Sequence, residues 1–264
     1  MTDTRTPFTS SPELSAEQRG PVLWLTITRE ERRNAMSHAV LAGVAQAITA
    51  AQSQRSIRAI VITGAGTKAF CAGADLQSAN AFTTDYSEPH GHLAQLLRVA
   101  KASTIPLIAR VNGACMAGGM GLMSMCDMAV AASHAVFGLP EVKVGVFPAQ
   151  VLSVLQHLIP RRKLAEMCLT GEPLTSAQAL EYNLVNYVDD DVDAKLQWLL
   201  DRLLDKSPAA IRRGLYTMKK VEAMSFEESM AFTESQIALF TLTDDAREGQ
   251  KAFQEKRKPV WAGK

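Results

Sequence analysis

The chain has no surplus of charge of either sign. Its 264 residues include 28 Lys and Arg against 27 Asp and Glu, a formal net charge of +1. So close a balance argues against a general nucleic-acid or membrane-surface binder, which needs a strong positive field, and leaves room for a local basic cluster. Cysteine is scarce: Cys71, Cys115, Cys126 and Cys168 are the only four. No two form a C-x-x-C pair and no histidine stands at a zinc-like spacing, so no metal site is expected. They read as free, mostly buried thiols of a reducing compartment, and the expected location is cytoplasmic. No run of 18 apolar residues is present, so no membrane-spanning helix is expected. The opening segment MTDTRTPFTSSPELSAEQRG has no apolar stretch of the signal-peptide kind, and Asp3, Glu13 and Glu17 weigh against a transit peptide. Residues 1–18 are expected to be a loose tail. There is no repeat of fixed period and no low-complexity tract.

What is present is apolar material, 47% of the chain. That suffices for a large core in one domain, or in a domain with an appendage. GPVLWLTI reads as a strand starting at Gly20, and SHAVLAGVAQAITAAQ as an amphipathic helix capped by Ser37. IRAIVITG is an almost continuous apolar run ending in glycine, as in a strand covered on both faces. The polar stretch 81–91 reads as a mobile loop. HLAQLLRVAKAS reads as a helix, and PLIARVNG and DMAVAAS as strands. After Pro148 six segments show helical spacing, from VLSVLQHLI to SFEESMAFTESQIALF. Strands alternating with helices and then helices alone predict a parallel α/β core with a helical C-terminal part.

Two Gly/Ala-rich turns, each following a predicted strand, carry the chemistry. One is FCAGADL (70–76) and the other NGACMAGGMGL (112–122), with Gly118, Gly119 and Gly121. Small residues let backbone N–H groups approach a ligand closely. Two such groups can converge on one oxygen, aided by the positive end of a following helix. The plainer alternative is two tight turns that need unusual dihedral angles. A third segment, TGAGTKAF, fits G-x-G-x-x-A through Gly64, Gly66 and Ala69, a loose dinucleotide fingerprint that would suit an NAD-linked oxidoreductase. That motif must open an amphipathic helix, whereas FCAGADLQ brings another glycine and no apolar period, so a plain turn fits better.

AFCAGADL, VNGACMAGGMGL and FGLPEVKVGVFP together resemble the crotonase, or enoyl-CoA hydratase/isomerase, family in order and spacing. SPAAIRRGLYTMKK and EGQKAFQEKRKPVW resemble its C-terminal region. The resemblance implies an α/β chain of ClpP/crotonase-like fold. A repeated β-β-α core at 19–200 would be followed by a helical trimerisation part at 201–264. It implies an acyl-CoA thioester as substrate, gripped at its carbonyl by the N–H groups of Ala74 and Gly118, which stabilise an enolate. It implies no cofactor, because coenzyme A enters as part of the substrate. Hydratases of the family carry a glutamate where Gly121 stands here and a second about twenty residues on, which Glu141 matches. Two carboxylates position a water and move its proton. This chain keeps Glu141 alone. One base suffices to shift a double bond from 3-enoyl to 2-enoyl, so hydratase and isomerase both stay open. Gly121 could also make room for a bulky acyl chain.

The same resemblance places Ala72, Asp75, Leu76 and Gly121 along the substrate, although Asp75 also suits a brace for its own turn. Arg32 and Arg33 would approach the phosphates of coenzyme A, for which arginine forks are suited. Gln77 replaces the lysine common in the family. Lys256, with Lys251 and Arg257, resembles a tail that reaches a neighbouring subunit's coenzyme A. Homotrimers or hexamers are implied, with no nucleic-acid or membrane partner. A catalytically degenerate acyl-CoA-binding protein is the reading from another class, suggested by Gly121 and Gln77.

Overall fold

The computed structural model describes residue 8, residues 10–75 and residues 87–264. The loop expected at 81–91 falls largely outside these residues, as do Leu76 and Gln77. In chain order the strands and helices are β1 (Leu14–Arg19), β2 (Val22–Ile27), α1 (His38–Gln52), β3 (Ala59–Gly64), β4 (Ala69–Cys71), α2 (His92–Ala102), β5 (Leu107–Val111), β6 (Ala114–Met116), α3 (Gly118–Ser124), β7 (Met128–Ala132) and β8 (Val136–Gly138). Then come α4 (Leu152–Leu155), α5 (Arg161–Thr170), β9 (Leu174–Thr175), α6 (Ser176–Glu181), β10 (Tyr187–Asp189), α7 (Val192–Leu204), α8 (Pro208–Val221), α9 (Phe226–Thr241) and α10 (Asp244–Gln254).

Among the described residues ten strands form two sheets. The larger runs β1-β2-β3-β5-β7-β10 and the smaller β4-β6-β8-β9. All pairings from β2 to β10 in the large sheet are parallel, as are β4 with β6 and β6 with β8 in the small one. The chain thus repeats one unit: a strand in the large sheet, a strand in the small sheet, then a helix. β3-β4-α2, β5-β6-α3 and β7-β8-α4 are the three passes.

The apolar strand runs divide by period two between two cores. Ile60 and Ile62 of β3 join the core under α1 with Leu23, Leu25 and Ile27, whereas Ala59 and Val61 join Val22, Ile108, Val130 and the inner face of α7. Burial of both faces is what a run without polar interruption predicts. Ser37 caps α1, its hydroxyl accepting from the Val40 N–H at 3.2 Å.

The structure corrects the expected tail. Leu14–Arg19 is already a strand, paired antiparallel with β2 from Leu14 opposite Ile27 to Arg19 opposite Val22. Leu14 and Ala16 face inward while Ser15 and Glu17 face out. An edge strand wetted on one face has half its positions polar, which disguises it as a tail. TGAGTKAF ends β3 and runs through a turn into β4, so no helix follows it and the dinucleotide fingerprint lacks its phosphate-binding end.

At the far end α8, α9 and α10 pack together. They leave large apolar side chains in solvent, among them Met218, Phe226, Ile237, Leu242 and Phe253, the last 87% exposed. Among the described residues no helix is long and apolar enough to cross a membrane.

Candidate active site

The three parallel strands of the small sheet end on one edge. β4 and β6 align Cys71 with Cys115, and β6 and β8 align Met116 with Gly138. Ala74 lies three residues past β4, Gly118 two past β6 and Glu141 three past β8. The C-terminal edge of parallel strands is where open α/β sheets hold ligands. The Ala117 N–H donates to the Gly138 carbonyl at 2.8 Å, joining the second and third of these exits.

Ala74 sits in a short parallel bridge with Met36. The Met36 N–H donates to the Gly73 carbonyl at 2.8 Å, and the Asp75 N–H to the Met36 carbonyl at 3.2 Å. In that pattern the residue between the two bonds turns its own N–H away from the pairing segment. Gly118 is the first residue of α3, where a helix N–H has no intrahelical partner. Neither N–H donates to another described residue. The two turns touch. A Cβ built on Gly118 would lie 3.8 Å from the Ala74 nitrogen, and one on Gly73 would lie 3.3 Å from the Gly118 nitrogen.

This closeness dictates the residue types. Gly73 has φ +97°, and a Cβ there would stand 2.7 Å from the Ala117 Cβ. A Cβ on Gly119 would run into the Cys71 carbonyl. Ala117 turns the chain with φ 52° and ψ −127°, a strained conformation for alanine that costs about 1–3 kcal/mol. Sequence reasoning passed over Ala117 because alanine usually signals helix rather than strain.

Glu141 lies in a 3-10 turn, Pro140–Val144, directly after β8. Its Oε2 is buried and has no hydrogen-bond partner. Burial pushes its carboxyl above the usual glutamate range, against a smaller lowering by its own backbone N–H. The thiol of Cys168 on α5 is raised by burial and, less, by the charge of Glu141. An unpaired carboxyl held toward its protonated form is what a proton-transfer group needs.

The remaining candidates separate. Ala72 is in the site turn, its N–H donating to the Arg33 carbonyl at 3.1 Å, so Arg33 borders the site through its backbone. The side chains of Arg32 and Arg33 are exposed. Asp75, placed along the substrate by the resemblance, has its Oδ2 on the Arg29 Nη2 at 2.6 Å, with both side chains largely buried, as a brace for its turn would. Gly121 corrects the expectation of acyl room, because a Cβ there would meet Val151 Cγ1 at 2.5 Å. Lys256 is exposed beyond α10, which packs on α8 and α9. Leu76 lies outside the described residues. Arg29 and Asn34 were missed as supports. Asn34 is fully buried and donates to the carbonyls of Ala65 (2.9 Å) and Ala69 (2.7 Å). The signal for Arg29 was its register, since it continues the alternate buried positions Leu23, Leu25 and Ile27.

Two unsatisfied main-chain donors and one half-buried carboxyl, carried on neighbouring strand ends, define a class of site. It can hold an oxygen that gains negative charge and move a proton close to it. The enoyl-CoA hydratase/isomerase family matches residues 17–264. Enoyl-CoA hydratase EchA19 of Mycobacterium tuberculosis is 34% identical over 258 residues, covering 95% of this chain and 96% of that protein. The 2,3-dehydroadipyl-CoA hydratase of Escherichia coli is 32% identical over 260 residues, covering 96% and 99%. A crystal structure of enoyl-CoA hydratase from Mycobacterium smegmatis superposes with a TM-score of 0.89 at 30% identity, covering 95% of this chain and 99% of that one. The chain belongs to the enoyl-CoA hydratase/isomerase, or crotonase, family and has its fold. It is an acyl-CoA-processing enzyme of that type.

Proposed function

We propose that the enzyme moves a proton next to an acyl-CoA thioester through an enolate, with Glu141 as its only acid/base. The thioester oxygen would lie between the N–H groups of Ala74 and Gly118. Each such donor stabilises the developing charge, and losing one typically costs about 3–4 kcal/mol of barrier. Glu141 would take a proton beside the carbonyl and return it two carbons away, converting a 3-enoyl to a 2-enoyl ester. The observation that carries this reading is a single carboxyl without a partner among the described residues of the site. Glu141 is unpaired, Asp75 is tied to Arg29, and Val151 fills the place a second carboxylate would need at Gly121.

Hydration is the second reading, favoured by relatives that are named hydratases. It requires another group to hold the water. A degenerate acyl-CoA-binding protein would bind esters without turnover. Incubation with 2-enoyl- and 3-enoyl-CoA in labelled water separates all three. Deuterium uptake with a shifted double bond supports isomerisation. Gain of labelled oxygen supports hydration. Binding without either change overturns both.

No separate cofactor enters this reading, since coenzyme A arrives as part of the ester. Arg32 and Arg33, exposed next to the Ala72 turn, would meet its phosphates. The apolar side chains left in solvent on α8, α9 and α10 support assembly into a homotrimer or hexamer, in which Lys256 would serve a neighbouring subunit. Sedimentation velocity at several concentrations tests the assembly.

A further inference from the structure

Resting on that reading of the thioester site, we propose that Arg29 is a positioning residue, whose guanidinium fixes the short bridge that aims the Ala74 N–H.

Arg29 is buried, and each of its three nitrogens has a separate anchor. Nη1 donates to the Ala35 carbonyl at 2.6 Å, Nη2 to Asp75 Oδ2 at 2.6 Å, and Nε faces Glu13 Oε1 at 3.1 Å. Ala35 and Asp75 each adjoin one residue of the Met36–Ala74 bridge, on opposite segments. At the bridge itself two backbone hydrogen bonds join these segments, at 2.8 and 3.2 Å, and a third, from the Ala72 N–H to the Arg33 carbonyl at 3.1 Å, lies behind it. The guanidinium spans the same gap and ties both sides together, one residue from each member of the pair.

The direction of the Ala74 N–H depends on the orientation of the Gly73–Ala74 peptide plane. Gly73, with its positive φ, resists rotation of that plane less than any other residue would. A second tie through Asp75 removes that freedom. A planar fork is needed for this, because a lysine ammonium cannot reach a carbonyl and a carboxylate in two fixed directions while facing a third acceptor. The Glu13 arm differs in kind. Glu13, just before β1, also takes the hydroxyl of Ser37, next to Met36, so it holds the Met36 side of the bridge and not the Asp75 side. It supports the fold around Arg29 without touching the Ala74 segment.

The test uses a cinnamoyl-CoA ester, whose absorbance moves to longer wavelength when its carbonyl is polarised. It is bound to the parent enzyme and to Asp75→Asn, Arg29→Lys and Glu13→Gln, with kcat and KM measured on enoyl-CoA and melting followed for each. The parent should show the red shift. Asp75→Asn and Arg29→Lys should lose most of it and lose about tenfold to a hundredfold in kcat, with KM nearly unchanged, because misaimed donors act on the transition state. Glu13→Gln should keep the shift and kcat even though it removes an ion pair. If Arg29→Lys does not fold, the isosteric Asp75→Asn carries the comparison. Parent-like shift and kcat in Asp75→Asn overturn the proposal. So does a Glu13→Gln loss as large as that of Asp75→Asn, which would mark Arg29 as a general stabiliser. A parent without any shift overturns the thioester reading itself, and this inference with it.

Discussion

Val151 stands where a side chain on Gly121 would go, its Cγ1 2.5 Å from the place of the missing Cβ. Val151 is buried just before α4, thirty positions along the chain from Gly121 in α3. The glycine therefore matches a valine rather than an empty pocket. Gly121→Ala should be destabilised by about 1–3 kcal/mol through overpacking. Val151→Ala should recover most of that loss in the double variant. Urea unfolding of the four proteins should give a strongly non-additive cycle.

Glu141→Gln should lower kcat on enoyl-CoA by at least about 10²-fold while CoA-ester binding persists by calorimetry. The acidic limb of the parent's kcat/KM profile should lie above the usual glutamate range, because burial raises this carboxyl and the base acts ionised. The sign for stability is opposite to that of a paired carboxylate. A carboxyl whose folded pKa is raised disfavours the ionised fold, so lowering the pH through that pKa adds to stability at this site. Glu141→Gln should accordingly melt at or above the parent at pH 7. Unchanged turnover would remove Glu141 from the chemistry.

Gly73→Ala should damage both fold and catalysis. The positive φ costs an alanine about 1–3 kcal/mol, and its Cβ would press on Ala117 at 2.7 Å. The turn can relieve this only by moving Ala74 relative to Gly118. A lower melting temperature together with lower kcat is the expected result, read by calorimetry and by steady-state kinetics.

Asp245 fastens the end of the chain. It is 1% exposed, with Oδ2 taking the Ser207 hydroxyl at 2.6 Å and the Ala209 N–H at 3.2 Å, and Oδ1 taking the Ala262 and Gly263 N–H groups at 2.8 and 2.9 Å. Burial alone would raise its carboxyl, but these donors outweigh that and hold it below the usual aspartate range. Its contribution is present above the unfolded aspartate pKa and is lost as pH falls through the lower folded value. Asp245→Ala should cost about 1–3 kcal/mol at neutral pH, and less in strong acid. Chemical unfolding at pH 7 and pH 3 checks both parts.

Elements with a strong local pattern were legible from residues alone. IRAIVITG became β3 because its run is almost wholly apolar, and Ser37 capped α1 because its hydroxyl reaches a bare N–H. β4, β6, β8 and β9 were not legible, since two or three residues cannot display a period. α10 escaped because its face is rich in charge. The two small-residue turns and Glu141 could be named from motif spacing. Arg29 differed from Arg32 and Arg33 only by its register with Leu23, Leu25 and Ile27, and its charge masked that signal until the fold buried it.

The amino-acid order determined the family, the alternation of strand and helix, and the turns that bring bare N–H groups to strand ends, since these follow from local sterics and apolar period. Only the tertiary structure decided which polar groups would be spoken for. Asp75 is claimed by Arg29 and the space at Gly121 by Val151, while Glu141 is left unpaired. Those two pairings join residues 46 and 30 positions apart, and chain separation hides them until packing brings the partners within reach of a hydrogen bond or a van der Waals contact.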